Sequence, residues 1–410
     1  MRFNVFKNTV LLFVLVLISC ASKAKNETLK ASNEILKEAQ DDKKISVGAN
    51  QTDLYLPLLK GKRVGIVANP SSVIFKKDDT YTHLVDSLLS LNIKIGKVFS
   101  PEHGFRGTAD AGESVKDGVD TKTGLPIISL YGNHKKPTPE DLQGIDVMMF
   151  DLQDVGVRFY TYISTLHYVM EACAEANIHL IILDRPNPNG SYVDGPTLEP
   201  VNQSFLGMHP IPLVHGMTIG EYAQMINGEK WLKNSIQCKI TVIPMANYNH
   251  NLTYSLPIRP SPNLPNDQSI KLYPSLGLFE GTNINAGRGT EFQFQRYGAP
   301  FLDKSVFKFS YTPVENFGAK NPKHKGNLCY GEDLENENAQ GVALKWLIKA
   351  YQNATDKSKV FNTANFTSHA GTDKLQKQIE AGMTESDIKA TWQNDLEAFK
   401  TIRKKYLIYQ

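Results

Sequence analysis

The chain has 410 residues, 41% of them hydrophobic and 21% charged, with 45 Lys and Arg against 42 Asp and Glu. That length and apolar content can bury a sizeable core, favour two domains over one and exclude a disordered chain. A net charge of +3 gives no bulk electrostatic case for nucleic acid, and four cysteines exclude a disulfide scaffold.

The first segment reads as an address. Arg2 and Lys7 precede an apolar run from Val10 to Ile18, followed by Ser19-Cys20-Ala21. The run is far short of the roughly 20 residues that span a bilayer, and it suits the apolar stretch of a signal peptide. Leu17-Ile18-Ser19-Cys20 has the form of a bacterial lipobox. Residues 1–19 are therefore expected to be removed and Cys20 to be lipidated, giving an exported, membrane-anchored lipoprotein of the periplasm or cell surface. Residues 20–52 are rich in Lys, Glu, Asn and Ala, which predicts a solvated tether. Cys173, Cys238 and Cys329 share no CxxC spacing, so no redox or metal role is expected of them.

Beyond the tether, strands and helices alternate. Residues 63–68 form a short apolar run stopped by Asn69-Pro70, and residues 82–91 have helical periodicity. Residues 93–99, 125–130, 146–150 and 179–183 are further strands. Thr138-Pro139-Glu140 looks like a helix start, residues 164–176 read as a helix, and Thr218-Ile-Gly-Glu221 is a capping box. Continuous apolar strands between helices imply a parallel sheet covered on both faces. After about residue 235 the pattern changes: residues 255–300 are dense in Pro, Gly and Asn, and residues 339–353 and 384–408 read as helices. The expected fold is α/β, with a Rossmann-like subdomain over 53–235 and a smaller α+β subdomain over 236–410.

Polar residues collect where the strands stop. Asn69-Pro70, the run from Glu102 through His103 to Arg106, the run Asp151-Leu-Gln-Asp154 with Arg158 and Tyr160, and Asp184-Arg185 each follow a strand. In a parallel sheet these ends share one edge, where open α/β sheets bind ligands. Acidic residues also end strands by capping the next helix, so each alone is ambiguous. Arginine usage narrows the field. Only nine Arg occur, and six of them (106, 158, 185, 259, 288 and 296) fall in these motif segments or in the loop-rich 255–300 region. A fixed guanidinium fork either binds a carboxylate at two points or ties loop carbonyls. Motifs for NAD, ATP, a serine nucleophile elbow or a zinc peptidase are absent, so no cofactor and no metal are expected.

The segments PEHGFRG (101–107), FDLQDVGVRFYTYIST (150–165), LDRPNPNG (183–190), HGMTIGEYA (215–223), SPNLPN (261–266) and YPSLGLFEGTNINAGRGT (273–290) together resemble the exo-β-N-acetylmuramidase family, NamZ/YbbC-like. The resemblance runs from about residue 53 to the C-terminus. It implies two subdomains with a cleft between them, release of N-acetylmuramic acid from non-reducing ends of peptidoglycan fragments, and Glu102 as the catalytic glutamate. Two other classes fit less well: a non-catalytic muropeptide-binding lipoprotein, or another cell-wall hydrolase.

Glycoside cleavage needs an acid for the leaving oxygen and a group that stabilises an oxocarbenium-like centre. Glu102 lies among Phe99, Pro101 and Phe105, apolar neighbours of the kind that suit a proton donor. Asp151, Asp154 and Glu280 are candidates for the second group, and the substrate's own acetamido is a further one. Arg106, Arg158 or Arg288 is expected to read the lactyl carboxylate, and Tyr160, Tyr162 or Phe294 to stack on the sugar. Asn69, His103, Asp184, Arg185, Asn263 and Asn283 complete the expected binding set. The partners expected are muropeptides or disaccharides from peptidoglycan, and a membrane reached through the lipid.

Overall fold

Strand β1 (Arg63–Ala68) lies at the centre of a seven-stranded sheet. A short hairpin follows it, β2 (Val73–Phe75) with β3 (Tyr81–His83), before β4 (Lys94–Ser100), β5 (Gly118–Val119), β6 (Pro126–Ser129), β7 (Val147–Asp151), β8 (His179–Leu183) and β9 (Ile240–Ile243). The spatial order is β5-β6-β4-β1-β7-β8-β9, parallel throughout except for β5. The chain steps outward from β1 to β4 and β6, then returns to pair β7 with the other side of β1. Ala68 and Asp151 stand in register at that reversal, the place where doubly wound sheets open a crevice.

The structure is a computed structural model that describes residues 44–106, 117–339 and 341–410. The signal segment, Cys20 and most of the expected tether lie outside the described residues. Val47–Gln410 forms one compact unit. Among the described residues, no helix is long and apolar enough to cross a membrane.

The two faces of the sheet explain the continuous apolar strands. Val64, Ile66, Ala68, Met149 and Ile181 point to one side, against Leu84, Val85 and Leu88 of the helix Leu84–Ser90. Val67, Met148, Phe150, Leu180 and Ile182 point to the other, against the helices Tyr162–Glu175 and Ile219–Gly228. Both faces are dry, so the strands need no polar alternation. The capping box at Thr218 forms as expected, with Thr218 Oγ1 accepting from Glu221 N–H and the Glu221 carboxylate accepting from Thr218 N–H.

Three expectations change. The stretch taken as tether through residue 52 enters the core at Val47 and Ala49, and Gly48 N–H donates to Asp184 C=O at 2.8 Å. A Cβ at Gly48 would stand 2.5 Å from backbone atoms of Asp184 and Ile243, so only glycine lies this close to the ends of β8 and β9. Thr138-Pro139-Glu140 starts a turn, not a helix: Thr138 and Asp141 exchange capping bonds, but Gly144, at φ 75°, ends the run before a second turn can form. Residues 255–300 contain the helix Asp267–Leu276, capped by Asn266 and Ser269, which continues as a 3-10 turn over Gly277–Gly281. The C-terminal part also holds the helices Thr363–Ala370 and Lys374–Glu380, and a three-stranded antiparallel sheet β10-β12-β11, with β10 (Arg296–Ala299), β11 (Phe309–Tyr311) and β12 (Cys329–Asp333).

Candidate active site

Glu102 stands in the turn that follows β4. The backbone there is left-handed at His103 (φ 70°) and Gly104 (φ 79°), which turns the chain sharply out of the sheet edge. The Glu102 carboxylate receives one hydroxyl from each side. Tyr131, just past β6, donates to Oε1 at 3.1 Å, and Thr161, the residue before the helix Tyr162–Glu175, donates to Oε2 at 3.1 Å. Two neighbouring elements therefore fix its orientation.

The facing wall comes from the C-terminal part of the chain. Glu280, on the turn Gly277–Gly281, accepts from Arg288 Nη1 at 3.1 Å, while Arg288 Nη2 donates to Gly318 C=O at 3.2 Å. Lys323 Nζ donates to the carbonyls of Phe279 and Glu280. Burial alone would push the Glu280 carboxyl up, yet Arg288, Lys323 and His369 hold it below the ordinary carboxylate value. Burial pushes the His369 imidazole down. This corner thus sets two basic side chains, Arg288 and Lys323, against one carboxylate, a surplus of one basic group, with burial lowering Lys323.

Between these walls lies a cavity of about 180 Å³. Its sides are aromatic: Phe159, Tyr160, Tyr162, Tyr273 and Phe294 all line it. They hold one another edge-on, with Tyr160 and Tyr162 at 4.8 Å and Tyr273 and Phe294 at 4.8 Å between ring centroids. Burial, with the charges of Glu280 and Glu102, raises the Tyr273 hydroxyl well above its ordinary value, so this ring feels both carboxylates. Phe294 is a second non-glycine residue in the left-handed region, at φ 53°, so two such residues, His103 and Phe294, line one pocket. Backbone strain of this kind concentrates at functional sites. Larger hollows of about 540 and 700 Å³ lie elsewhere, but neither is lined by Glu102, Glu280 or any arginine.

Of the residues singled out from sequence, Glu102, His103, Tyr160, Tyr162, Asn263, Glu280, Arg288 and Phe294 meet in this pocket. The others sit outside its lining. Asp151 is fully buried and takes both its bonds from Arg185, Nε to Oδ1 at 2.6 Å and Nη2 to Oδ2 at 2.9 Å. Asp184 is fully buried and accepts from Arg185 N–H, Gly220 N–H, Thr218 and Tyr409, so it caps the helix Ile219–Gly228. Asp154 bonds Gly156 N–H at 2.7 Å in the loop below the pocket. Arg158 is fully buried, and its terminal nitrogens donate to the carbonyls of Pro196, Ile211, His369 and Ala370. It ties loops, one of which carries the pocket residue His369, and presents no fork to the cavity. Arg106 pairs with Asp86 and Asp120. Asn69 holds the Tyr162 hydroxyl at 2.8 Å, one step behind the lining. Asn283 bonds the Lys359 carbonyl on the surface.

Tyr131, Thr161, Phe205, Ser261, Tyr273 and His369 also line the pocket without having been singled out. Thr161 and Tyr273 lie inside the motif segments, between more conspicuous neighbours. Tyr131 follows a strand end, as Glu102 does. His369 carries no local signal, because only the docking of the helix Thr363–Ala370 brings it in.

The fold and pocket together define a doubly wound α/β protein with a glycosidase-type site: two carboxylates, a guanidinium and an amide set in an aromatic wall. The comparisons give the particular family. Residues 64–268 match the family described as Exo-beta-N-acetylmuramidase NamZ, N-terminal, and residues 271–409 match its C-terminal counterpart. The chain belongs to this glycosidase family. It is 40% identical over 375 residues to the peptidoglycan beta-N-acetylmuramidase NamZ of Bacillus subtilis (strain 168), covering 87% of this chain and 89% of that one. Two crystal structures of DUF1343 family proteins from Bacteroides fragilis NCTC 9343 share the fold. One has a TM-score of 0.82 at 45% identity, covering 90% of this chain and 99% of its own. The other has a TM-score of 0.75 at 28% identity, covering 90% and 100%.

Proposed function

We propose that this protein is an exo-acting glycosidase that releases N-acetylmuramic acid from the non-reducing ends of peptidoglycan fragments in cell-wall turnover, with Glu102 as its proton donor. The observation that carries the reading is Glu102 itself: a carboxyl group at a strand end, oriented by two hydroxyls and facing an aromatic pocket, in a chain of this family. Glu102 protonates the leaving oxygen, while Tyr160, Tyr162 and Tyr273 supply ring faces for the sugar. Arg288 reads the lactyl carboxylate, which the surplus basic group around Glu280 neutralises. Of the carboxylates considered for the second role, Glu280 alone lines the pocket with Glu102. Its charge, held by Arg288 and Lys323, suits stabilisation of a developing cation. Hydrolysis of a chromogenic β-N-acetylmuraminide, beside the matching glucosaminide, tests the reading. Cleavage of the muraminide with little on the glucosaminide is expected, and no cleavage of either removes it.

The anchor belongs to the same proposal. The apolar run and Leu17-Ile18-Ser19-Cys20 support export and lipidation at Cys20, and a multiply acylated cysteine holds firmly where a single chain binds weakly. Cys20→Ala is expected to shift the protein from the membrane fraction to the soluble one.

A further inference from the structure

Asn263 is 4% exposed and lines the pocket, yet neither Nδ2 nor Oδ1 has a hydrogen-bond partner in the protein. A buried amide left unmade costs stability, so its retention needs a reason outside the fold. The surroundings hold it in place. Its N–H donates to Ser261 Oγ at 3.1 Å, and a Cβ at Gly318 would stand 2.8 Å from Oδ1 and 3.1 Å from the Pro262 carbonyl oxygen. Glycine at 318 therefore lets that loop close over the amide while its own carbonyl accepts from Arg288. The loop is tied by Asn316, which donates to Thr290 C=O at 2.9 Å and accepts from Gly318 N–H at 3.2 Å.

The other polar groups of the pocket are committed differently. Glu102 and Glu280 as carboxylates only accept, and Arg288 only donates. The Tyr160 hydroxyl donates to Pro260 C=O at 2.6 Å, and Thr161 and Tyr131 are on Glu102. Asn263 offers a donor and an acceptor side by side with neither in use. The unsubstituted terminal sugar carries one amide, whose carbonyl is its strongest neutral acceptor and suits the unused Nδ2 donor. Resting on the activity proposed above, we infer that Asn263 reads the 2-acetamido group. Its Nδ2 donates to the acetamido carbonyl, while the acetamido N–H, trans to that carbonyl, points away from Asn263. Asn263 is then the residue by which the enzyme distinguishes N-acetylated from N-deacetylated muramic acid.

The test measures dissociation constants of N-acetylmuramic acid and of muramic acid, the free amine, by calorimetry in wild type and in Asn263→Leu, with a thermal melt of each. Wild type is expected to prefer the N-acetyl sugar. Asn263→Leu should weaken that sugar by about tenfold or more and leave the free amine within about twofold. The melting temperature should hold or rise, because an apolar side chain of similar size removes two unpartnered polar atoms. Asn263→Asp loses the donor, so it should weaken the N-acetyl sugar at least as much as Asn263→Leu does. Equal weakening of both sugars, an unchanged preference, a wild type with no preference, or a lower melting temperature in Asn263→Leu overturns the assignment. If wild type cleaves the chromogenic muraminide but shows no N-acetyl preference, this inference fails alone. If it neither cleaves nor binds, the proposed activity fails with it.

Discussion

Two groups of polar residues gather at the carboxyl edge of the sheet and across from it, and they behave oppositely. At the ends of β7 and β8, Asp151, Asp184 and Arg185 are at most 3% exposed, and each carboxylate is bonded by groups of the protein. Past β4, Glu102 faces a cavity, and across it Glu280, Arg288 and Asn263 keep polar surface turned to that space. The first group is closed upon itself and stabilises the crossing of the chain at the sheet reversal. The second lines the cavity. Strand-end position alone does not separate structure from chemistry; what separates them is whether a side chain is enclosed in the core or lines the cavity.

The sharpest way to break that comparison is Glu102→Gln, which keeps shape and removes the proton. Loss of a positioned acid costs about 10²–10⁴ in rate. We expect kcat on the muraminide to fall by that amount with an unchanged melting temperature, and near-normal turnover in the folded variant would transfer the role elsewhere. Asp151→Asn should do the reverse. It leaves the Arg185 guanidinium buried without its counter-charge, at a cost of about 3–5 kcal/mol. Denaturant titration should show that loss, while the folded fraction retains its kcat.

Asp184 adds a pH signature to the closed group. Burial, reinforced by Glu221, raises its pKa from 3.8 to about 6. The folded protein therefore holds a proton that the unfolded chain releases between about pH 4 and 6. The contribution of this group is complete below about pH 4 and is lost as pH rises through about 6, on the order of 3 kcal/mol. Unfolding free energies across that range should fall less steeply in Asp184→Asn than in wild type, and parallel curves would remove Asp184 as the source. The smallest effect belongs to Arg288→Met. Losing a charge-assisted pair with the lactyl carboxylate, worth about 1.5–3 kcal/mol, should raise KM by about tenfold to a hundredfold. An unchanged KM would leave Arg288 as a brace for Glu280 and the Gly318 carbonyl.

Five strands of the large sheet, their parallel direction, its two helix-covered faces and the site edge were legible in the sequence, whereas the spatial order of the strands was not. The legible features depend on local rules: apolar runs of strand length, turn residues after each, and helical spacing between them. The Thr218 box shows how far this goes, since two residues, Thr218 and Glu221, make both of its bonds. The same rules misjudged Thr138, where the correct cap precedes a run that Gly144 ends too soon, and overlooked Asp267–Leu276, where Pro and Asn density hid a capped helix.

What only the tertiary structure decided is which charged residues face the cavity. Arg158 and Arg288 look alike in sequence, each inside a glycine-containing motif segment. The fold sends Arg158 to four loop carbonyls and turns Arg288 to Glu280 beside the pocket. His369 reaches Glu280 across 89 positions of chain, through a helix with no distinctive motif. Composition and spacing set what a segment can form, because backbone sterics and burial act over a few residues. Whether a guanidinium or carboxylate is consumed or left for a ligand depends on partners brought from distant parts of the chain, which only the folded chain places beside it.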